Sequence, residues 1–489
     1  MPISSAAPLT KRRRLLVLAI CCMSLLIVSM DNTVLNIALP SLQRGLHAPM
    51  SGLQWTIDAY TLVLASFLLL SGSTADRIGR RRTFQIGLAV FTLASLGCSL
   101  APSLGWLIAA RMVQAIGGSM LNPVAMSIIT NTFTDPRERA RAVGAWGAVV
   151  GISMSAGPII GGLLVESVGW RAIFWINIPI GLAAFVLTRA FVPESRAAHA
   201  RRPDPVGQIL MIAFLASLTF AIIEAPARGL TSPLIAGCVV LAVAALAGFL
   251  LYEPRRAEPL VELRFFRSVP FSGATLIAVC GFGATGGFLF LNSLYLQDAL
   301  GLDPVHAGLY MMPMALMNLV FAPISGRLVG SRGPRLPLIT AGIALAAVGI
   351  VLAFTYSPSL PTAVLLGCYT VFGVGFGMMN APITNTAVSG MPRSQAGVAA
   401  ACASTSRQIG QSLGVAVIGA VMAGAFTAGR ATPTFTADSR TAWWIIAGCG
   451  LAVLALGTIT TGRWARATAA RAAGDLDQVQ PTKEPVTTR

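Results

Sequence analysis

The chain has 489 residues, 55% of them hydrophobic and only 11% charged, with a formal net charge of +17. A soluble protein of this length carries roughly 25% charged residues, so the composition excludes an ordinary soluble domain and points to repeated membrane spans. The positive charge does not imply a nucleic-acid partner, because the basic residues are scattered over many short loops and form no patch.

Fourteen apolar stretches are long enough to span a bilayer: about 15–38, 53–71, 83–101, 104–130, 140–165, 172–192, 206–224, 232–252, 271–297, 304–326, 336–356, 361–388, 397–425 and 441–462. Lys11–Arg14 precede the first, as in a signal peptide. No small-residue cleavage pattern follows, and the run continues into "SMDNTVLNIALP", so a retained helix is expected. An aspartate in hydrocarbon costs about 2.5–3.5 kcal/mol, so Asp31 should face a bundle interior or an aqueous cavity. It lies roughly 24 Å along its helix at 1.5 Å per residue. Asp58 in the second span and Arg111 in the fourth enter from the other side and reach a similar level. The three are expected to form one charged cluster, either a static ion pair or a proton site. In "LIAARMVQAIGG", Gln114 shares a helical face with Arg111, and Gly117 and Gly118 permit close helix contact.

The second span ends in "GSTADRIGRRR". Asp76 among Arg77 and Arg80–Arg82 is odd for a merely basic loop and suggests a specific partner, a helix N-terminus or an arginine on another helix. The fifth span carries "GAWGAVVGISMSAGPIIGG". Small residues recur every four positions at Gly147, Gly151 and Ser155, and again at Gly157 and Gly161, a spacing that lets helices approach closely. Pro158 removes a backbone donor and should bend the span. Beyond ordinary tight packing, this segment is a candidate hinge or seal.

Gly72–Arg81 is echoed by "GRLVGSRGPR", Gly326–Arg335, at an offset of 254 residues, or eight spans. Two six-helix repeats therefore need two extra helices between them. The expected order is a cytoplasmic N-terminus 1–14, a six-helix bundle 15–192, an inserted pair 206–252, a link 253–270, a second bundle 271–462 and a disordered cytoplasmic tail 463–489. Internal repeats of this kind place substrate between the halves near the midplane. Glu224 sits at the outer end of the seventh span. No Asp or Glu occurs between Asp303 and Asp438, so any charge for binding a cation must come from Asp31, Asp58 and Glu224. Neutral compounds or monovalent cations are expected over dications, because a second unpaired charge is costly inside the membrane.

Of 35 Lys and Arg, 28 lie in the N-terminus, the loops after even-numbered spans and the tail, which puts both termini in the cytoplasm. The eight cysteines all lie in apolar blocks, as small buried residues rather than disulfides or metal ligands. The three histidines lie in loops, with no metalloprotease or nucleophile motif. No enzyme, metal site or cofactor is expected, and nothing resembles a channel's selectivity filter.

These segments together resemble the major facilitator superfamily, in its fourteen-helix drug:proton antiporter branch. "MDNTVLNIALP" is similar to that branch's first-helix motif. "GSTADRIGRRR" resembles the superfamily loop motif, with Thr74 where leucine is usual. "RMVQAIGG" resembles the fourth-helix motif and "GPIIGG" the antiporter motif of the fifth, with Ser153 replacing its preceding glycine. "GWRAIFWINIPIG" and "SRQIGQSLGVAVIG" are similar to further segments of the branch, and the resemblance covers about residues 12–462. It implies a monomeric, all-α, multi-pass protein of the plasma (cell inner) membrane. Such a protein exports lipophilic drug-like molecules in exchange for protons by alternating access. It also implies proton coupling at Asp31 and Arg111, with Asp58 matching an acid frequent in the second helix of such exporters; the charge argument adds substrate contact at Asp58 and Glu224. Gly72, Asp76, Arg77, Gly79 and Arg80 would form a cytoplasmic loop gate, and Gly157, Pro158, Gly161 and Gly162 the antiporter motif. An exporter of one antibiotic or metabolite is the main alternative; a proton-coupled importer is disfavoured by the fifth-helix motif.

The repeat offset and the basic bias make a direct prediction. A topology reporter fused within 225–232 reads as external and one within 255–267 as cytoplasmic. The opposite result at either site contradicts fourteen spans.

Overall fold

A computed structural model of the protein describes residues 10–196, 204–256, 259–391, 395–427, 430–432 and 434–477. It is all-α apart from a two-residue antiparallel ribbon between Phe426–Thr427 and Arg430–Ala431. The helices run in order as α1 Lys11–Leu46, α2 Met50–Ile78, α3 Arg80–Ser99, α4 Leu104–Thr132, α5 Pro136–Ser167, α6 Ala172–Trp175, α7 Asn177–Phe191, α8 Pro205–Arg228 and α9 Pro233–Tyr252. They continue with α10 Val269–Leu294, α11 Pro304–Arg332, α12 Arg335–Thr355, α13 Thr362–Val388, α14 Ala396–Val421, α15 Phe435–Thr460 and α16 Arg463–Asp477.

Among the described residues, ten helices are long and apolar enough to cross a membrane, counting α6 with α7, and α2 and α5 bring the number to twelve if each is one bent span. The other two expected spans coincide with α3 and α14. They have 20 and 26 residues, but α3 opens on three arginines and α14 carries Arg407 among serines, threonines and glutamines. Length is present there and apolarity is not.

Local chemistry sets the ends. Three Asp-Pro pairs start helices. Asp135, Asp204 and Asp303 each accept hydrogen bonds from backbone N–H groups of the first turn, at 2.8–3.0 Å, ahead of a proline at the first helical position. Gly79 has φ 111°, left-handed backbone that breaks α2 from α3. α5 bends by 41° between Ser153 and Ala156, as Pro158 leads one to expect: a proline removes the bond to the turn before it.

α1–α7 and α10–α15 form two bundles. The α8–α9 pair packs on itself and touches the bundles mainly through α8, which lies against α2 and α14. Gln208 of α8 donates to the Ser66 carbonyl of α2. Where the tail was expected to be disordered, its first part is α16, whose Ala465, Ala469 and Ala472 are buried. An alanine-rich segment is a strong helix former once one face can dock. Residues 478–489 lie outside the described residues.

The bundles meet at the end of the molecule opposite the basic loops. There Ser293 of α10 donates to the Asn36 carbonyl of α1, and Gln297 donates to that of Ile37 at 2.8 Å. Gln54 of α2 donates to the Ala416 carbonyl of α14 at 2.9 Å. Gly162 of α5 presses on the backbone of Pro304, and Gly308 of α11 on that of Pro158. Nearer the basic end, a Cβ on Gly144 of α5, or on Gly326 or Gly330 of α11, would meet open space.

Candidate functional site

Asp31 and Arg111 meet inside the first bundle. Arg111 donates from a terminal guanidinium nitrogen to Oδ2 of Asp31, and both side chains are 1% exposed. Gln114, one turn on from Arg111, donates to Oδ1 of Asp31 at 2.9 Å and accepts from Arg111 at 2.7 Å. Asn177, the first residue of α7, donates to the same Oδ1 at 2.9 Å. Ser95 of α3 accepts from Gln114 at 2.9 Å and from Asn177 at 3.4 Å. Arg111 is held from its other side by α2, where its Nε donates to the Thr56 carbonyl at 3.3 Å and its Cζ lies 4.1 Å from the centroid of the Tyr60 ring. Gly118 leaves room for the Tyr60 hydroxyl, and Gly117 lets α4 press on the α3 backbone at Phe91 and Gly87.

This arrangement meets the demand that a buried charge be both paired and hydrogen-bonded. Five helices contribute: α1, α2, α3, α4 and α7. The sequence identified Asp31, Arg111 and the shared face of Gln114. It missed Asn177, Ser95 and Tyr60, which are uncharged and raise no alarm in an apolar run. The signal for Asn177 was present as "WINIP", an amide just ahead of a proline at a helix start.

Asp58 does not join the cluster. It is fully buried and turned toward α14, with Ser412 beside it and Thr61 donating to Oδ1 at 3.5 Å. Its Oδ2 has no hydrogen-bond partner among the described residues. The reason is rotational. Thr56 and Tyr60 are four apart and share the face that meets Arg111; Asp58 stands two residues from each, about 200° round the helix. Depth alone placed it correctly, and angle separates it. Glu224 accepts from Trp55 Nε1 at 3.1 Å and from Arg228 on its own helix at 3.0 Å.

At the basic end, Asp76 accepts from Arg80, the first residue of α3, at 3.1 Å. Arg80 belongs to the same basic stretch, four residues on, and is not the partner from elsewhere in the chain that the sequence suggested. A second tether was not foreseen. Glu194, just past α7, accepts from the Arg81 backbone N–H at 3.1 Å and lies 3.8 Å from the Arg81 and Arg82 side chains. The Arg80 N–H donates to the Ser195 carbonyl at 2.9 Å. A side chain on Gly79 would collide with Glu194. Gly72 faces open space, and Arg77 is exposed.

In the antiporter segment, Gly157 fits against the Thr33 side chain and Gly161 against the Val34 backbone of α1, while Pro158 and Gly162 face α11. α5 is therefore wedged between the helix that carries Asp31 and the opposite bundle. Where α1, α5, α10 and α11 meet, a cavity of about 20 Å³ is lined by Thr33, Asn36, Pro158, Leu289, Met311 and Met314. All eight cysteines are free thiols, and no cluster of three metal-ligating side chains occurs among the described residues.

The sequence profile of the Major Facilitator Superfamily matches residues 21–415, and the chain belongs to that family of membrane transporters. It is 35% identical over 412 residues to "Multidrug resistance protein Stp" of Mycobacterium tuberculosis (strain CDC 1551 / Oshkosh), covering 84% of this chain and 76% of that protein. It is 37% identical over 400 residues to "Tetracenomycin C resistance and export protein" of Streptomyces glaucescens, covering 81% and 74%. It is also 37% identical over 408 residues to "Puromycin resistance protein pur8" of Streptomyces alboniger, covering 82% and 80%. Among solved structures, a bacterial homolog of the human lysosomal transporter Spinster, in an inward-facing and occupied conformation, matches with a TM-score of 0.61 and 16% identity over 97% of this chain and 100% of that one. That likeness concerns the fold. The protein is a multi-pass membrane transporter and not an enzyme.

The buried pair yields a stability prediction. Arg111→Gln leaves the Asp31 charge unpaired and costs about 3–5 kcal/mol. Adding Asp31→Asn recovers most of that loss. Thermal or denaturant unfolding of the purified variants measures it; additive losses in the double variant contradict a coupled pair.

Proposed function

We propose that this protein is a proton-coupled exporter of lipophilic drug-like molecules, with fourteen spans and both termini in the cytoplasm. The observation that carries the proposal is the buried Asp31–Arg111 pair with its amide partners. An ionisable pair sealed inside hydrocarbon is a functional site by default, and here it sits on the helix that touches the other bundle. The family and the names of the relatives, drug resistance and export proteins, support the direction of transport. Two of those names each specify one antibiotic, which favours as second reading a dedicated exporter of a single compound.

The mechanism follows from α1. With Asp31 charged, Arg111 and Asn177 hold α1 against α4 and α7. In that position Thr33 and Val34 fit the glycines of α5, and the carbonyls of Asn36 and Ile37 take Ser293 and Gln297. The end remote from the basic loops is closed. A proton on Asp31 removes the charge that Arg111 pairs with, frees α1 to shift, and alters the fit at the α5 glycines and the α10 contacts. The substrate occupies the gap between the bundles, whose apolar walls accept varied shapes. Asp31 is taken by Arg111, and Glu224 by Arg228 and Trp55. Asp58 is left as the one acid for a cation, so monovalent cations are preferred over dications.

Everted membrane vesicles given an inward-directed substrate test this. Proton-driven uptake of N-phenyl-1-naphthylamine falls at least about tenfold in Asp31→Asn, while membrane insertion is unchanged. Undiminished proton-driven uptake by that variant removes Asp31 from the coupling.

A further inference from the structure

The second bundle holds a cation with no acid. Arg407 lies eleven residues into α14, near the middle of its length. No Asp or Glu occurs in the sequence between Asp303 and Asp438. Among the described residues, the hydrogen-bond partners of Arg407 are hydroxyls: it donates to Thr384 of α13, and to Ser404 one turn earlier on α14 at 3.2 Å. Its Nε is buried with no partner among the described residues, and Gln408 Oε1 next to it has none either. Its Cζ lies 5.9 Å from the centroid of the Phe282 ring on α10.

The contrast with Arg111 is informative. Arg111 is fully buried and has a carboxylate; Arg407 is half-buried and has none. Asp58 does not serve it. Asp58 faces Ser412, which is five residues further along α14, roughly 7–8 Å up and about 140° round the helix. An uncompensated guanidinium in the membrane interior is expensive to keep. Static packing does not require it, since a leucine or glutamine fills similar space without the cost. Phe282, Thr384 and Ser404 around it are themselves partly exposed. Arg407 is thus reachable, held by weak neutral partners, and short of one strong acceptor.

We propose that Arg407 docks an anionic or strongly accepting oxygen of the exported compound, a carboxylate, phenolate, sulfonate or polarised carbonyl. The guanidinium offers several N–H donors in a planar fork suited to such a group. The inference rests on the export reading and narrows it: the first bundle binds the proton, and the second selects substrates by an acceptor. Lipophilic compounds that carry such an oxygen gain affinity, and otherwise matched compounds without one do not.

A matched pair of fluorescent probes tests it. N-phenyl-1-naphthylamine and 8-anilino-1-naphthalenesulfonate share one aromatic skeleton and differ by a sulfonate. Their binding is measured to the full-length protein in nanodiscs, with empty nanodiscs subtracted. Arg407→Gln is expected to weaken sulfonate binding at least about tenfold and to leave the neutral probe within about twofold. Arg407→Lys is expected to recover much of the sulfonate affinity. The retained neutral-probe binding reports that the variants are folded. Equal losses for both probes, or no loss for the sulfonate, overturn the proposal. The export reading fails separately, if the wild-type protein moves neither probe when a proton gradient is imposed on vesicles.

Discussion

The structure turns on one buried ion pair. Asp31 and Arg111 are each costly in hydrocarbon and tolerable together only because the remaining lone pairs and protons are also satisfied. That requirement fixes much of the first bundle. It brings α7 in through Asn177, α3 through Ser95, and α2 through the Thr56 carbonyl and the Tyr60 ring. Gly117 and Gly118 follow from the same need, since α4 must approach α2 and α3 closely enough for those contacts. A change of one unit charge at Asp31 is therefore felt by five helices at once.

Seven residues of α1 connect that pair to the rest of the molecule. Asp31 faces α4 and α7; Thr33 and Val34 face the glycines of α5; the carbonyls of Asn36 and Ile37 receive Ser293 and Gln297 from the opposite bundle. The buried ion pair, the residues that fit the α5 glycines and the inter-bundle contact lie on successive turns of one helix. The proposed coupling needs no long-range wire, only a small shift or rotation of α1. The second bundle has no equivalent acid, and Arg407 gives its interior the opposite sign. The two halves are alike in fold and unlike in charge, as expected if one handles the proton and the other discriminates among substrates.

Charge and small-residue spacing made much of this legible in the sequence. Asp31 and Arg111 stand out in apolar runs, Gln114 follows from helical spacing, and the Gly157–Gly162 segment from its period of four. Rotation was less legible. Asp58 lies at the expected depth but faces α14, because the angle between Asp58 and Arg111 depends on how α2 is turned, which only packing decides. Neutral partners were invisible for another reason: Asn177, Ser95 and Tyr60 carry no charge that must be explained. Glu194 escaped notice because an acid in a polar loop has an obvious solvated reading, and its role appears only when Gly79 and Arg81 fold against it. The helix over Arg463–Asp477 was hidden by a charged, alanine-rich composition that folds only with a surface to dock on.

The most direct test counts protons when a neutral compound binds. Purified protein in weakly buffered solution is mixed with saturating N-phenyl-1-naphthylamine, and the pH change is converted to protons per protein. In protein first acidified until Asp31 carries its proton, the account predicts that binding restores the Asp31–Arg111 pair and releases about one proton from the wild-type protein, and none from Asp31→Asn although the probe still binds. Equal release from both proteins would contradict it.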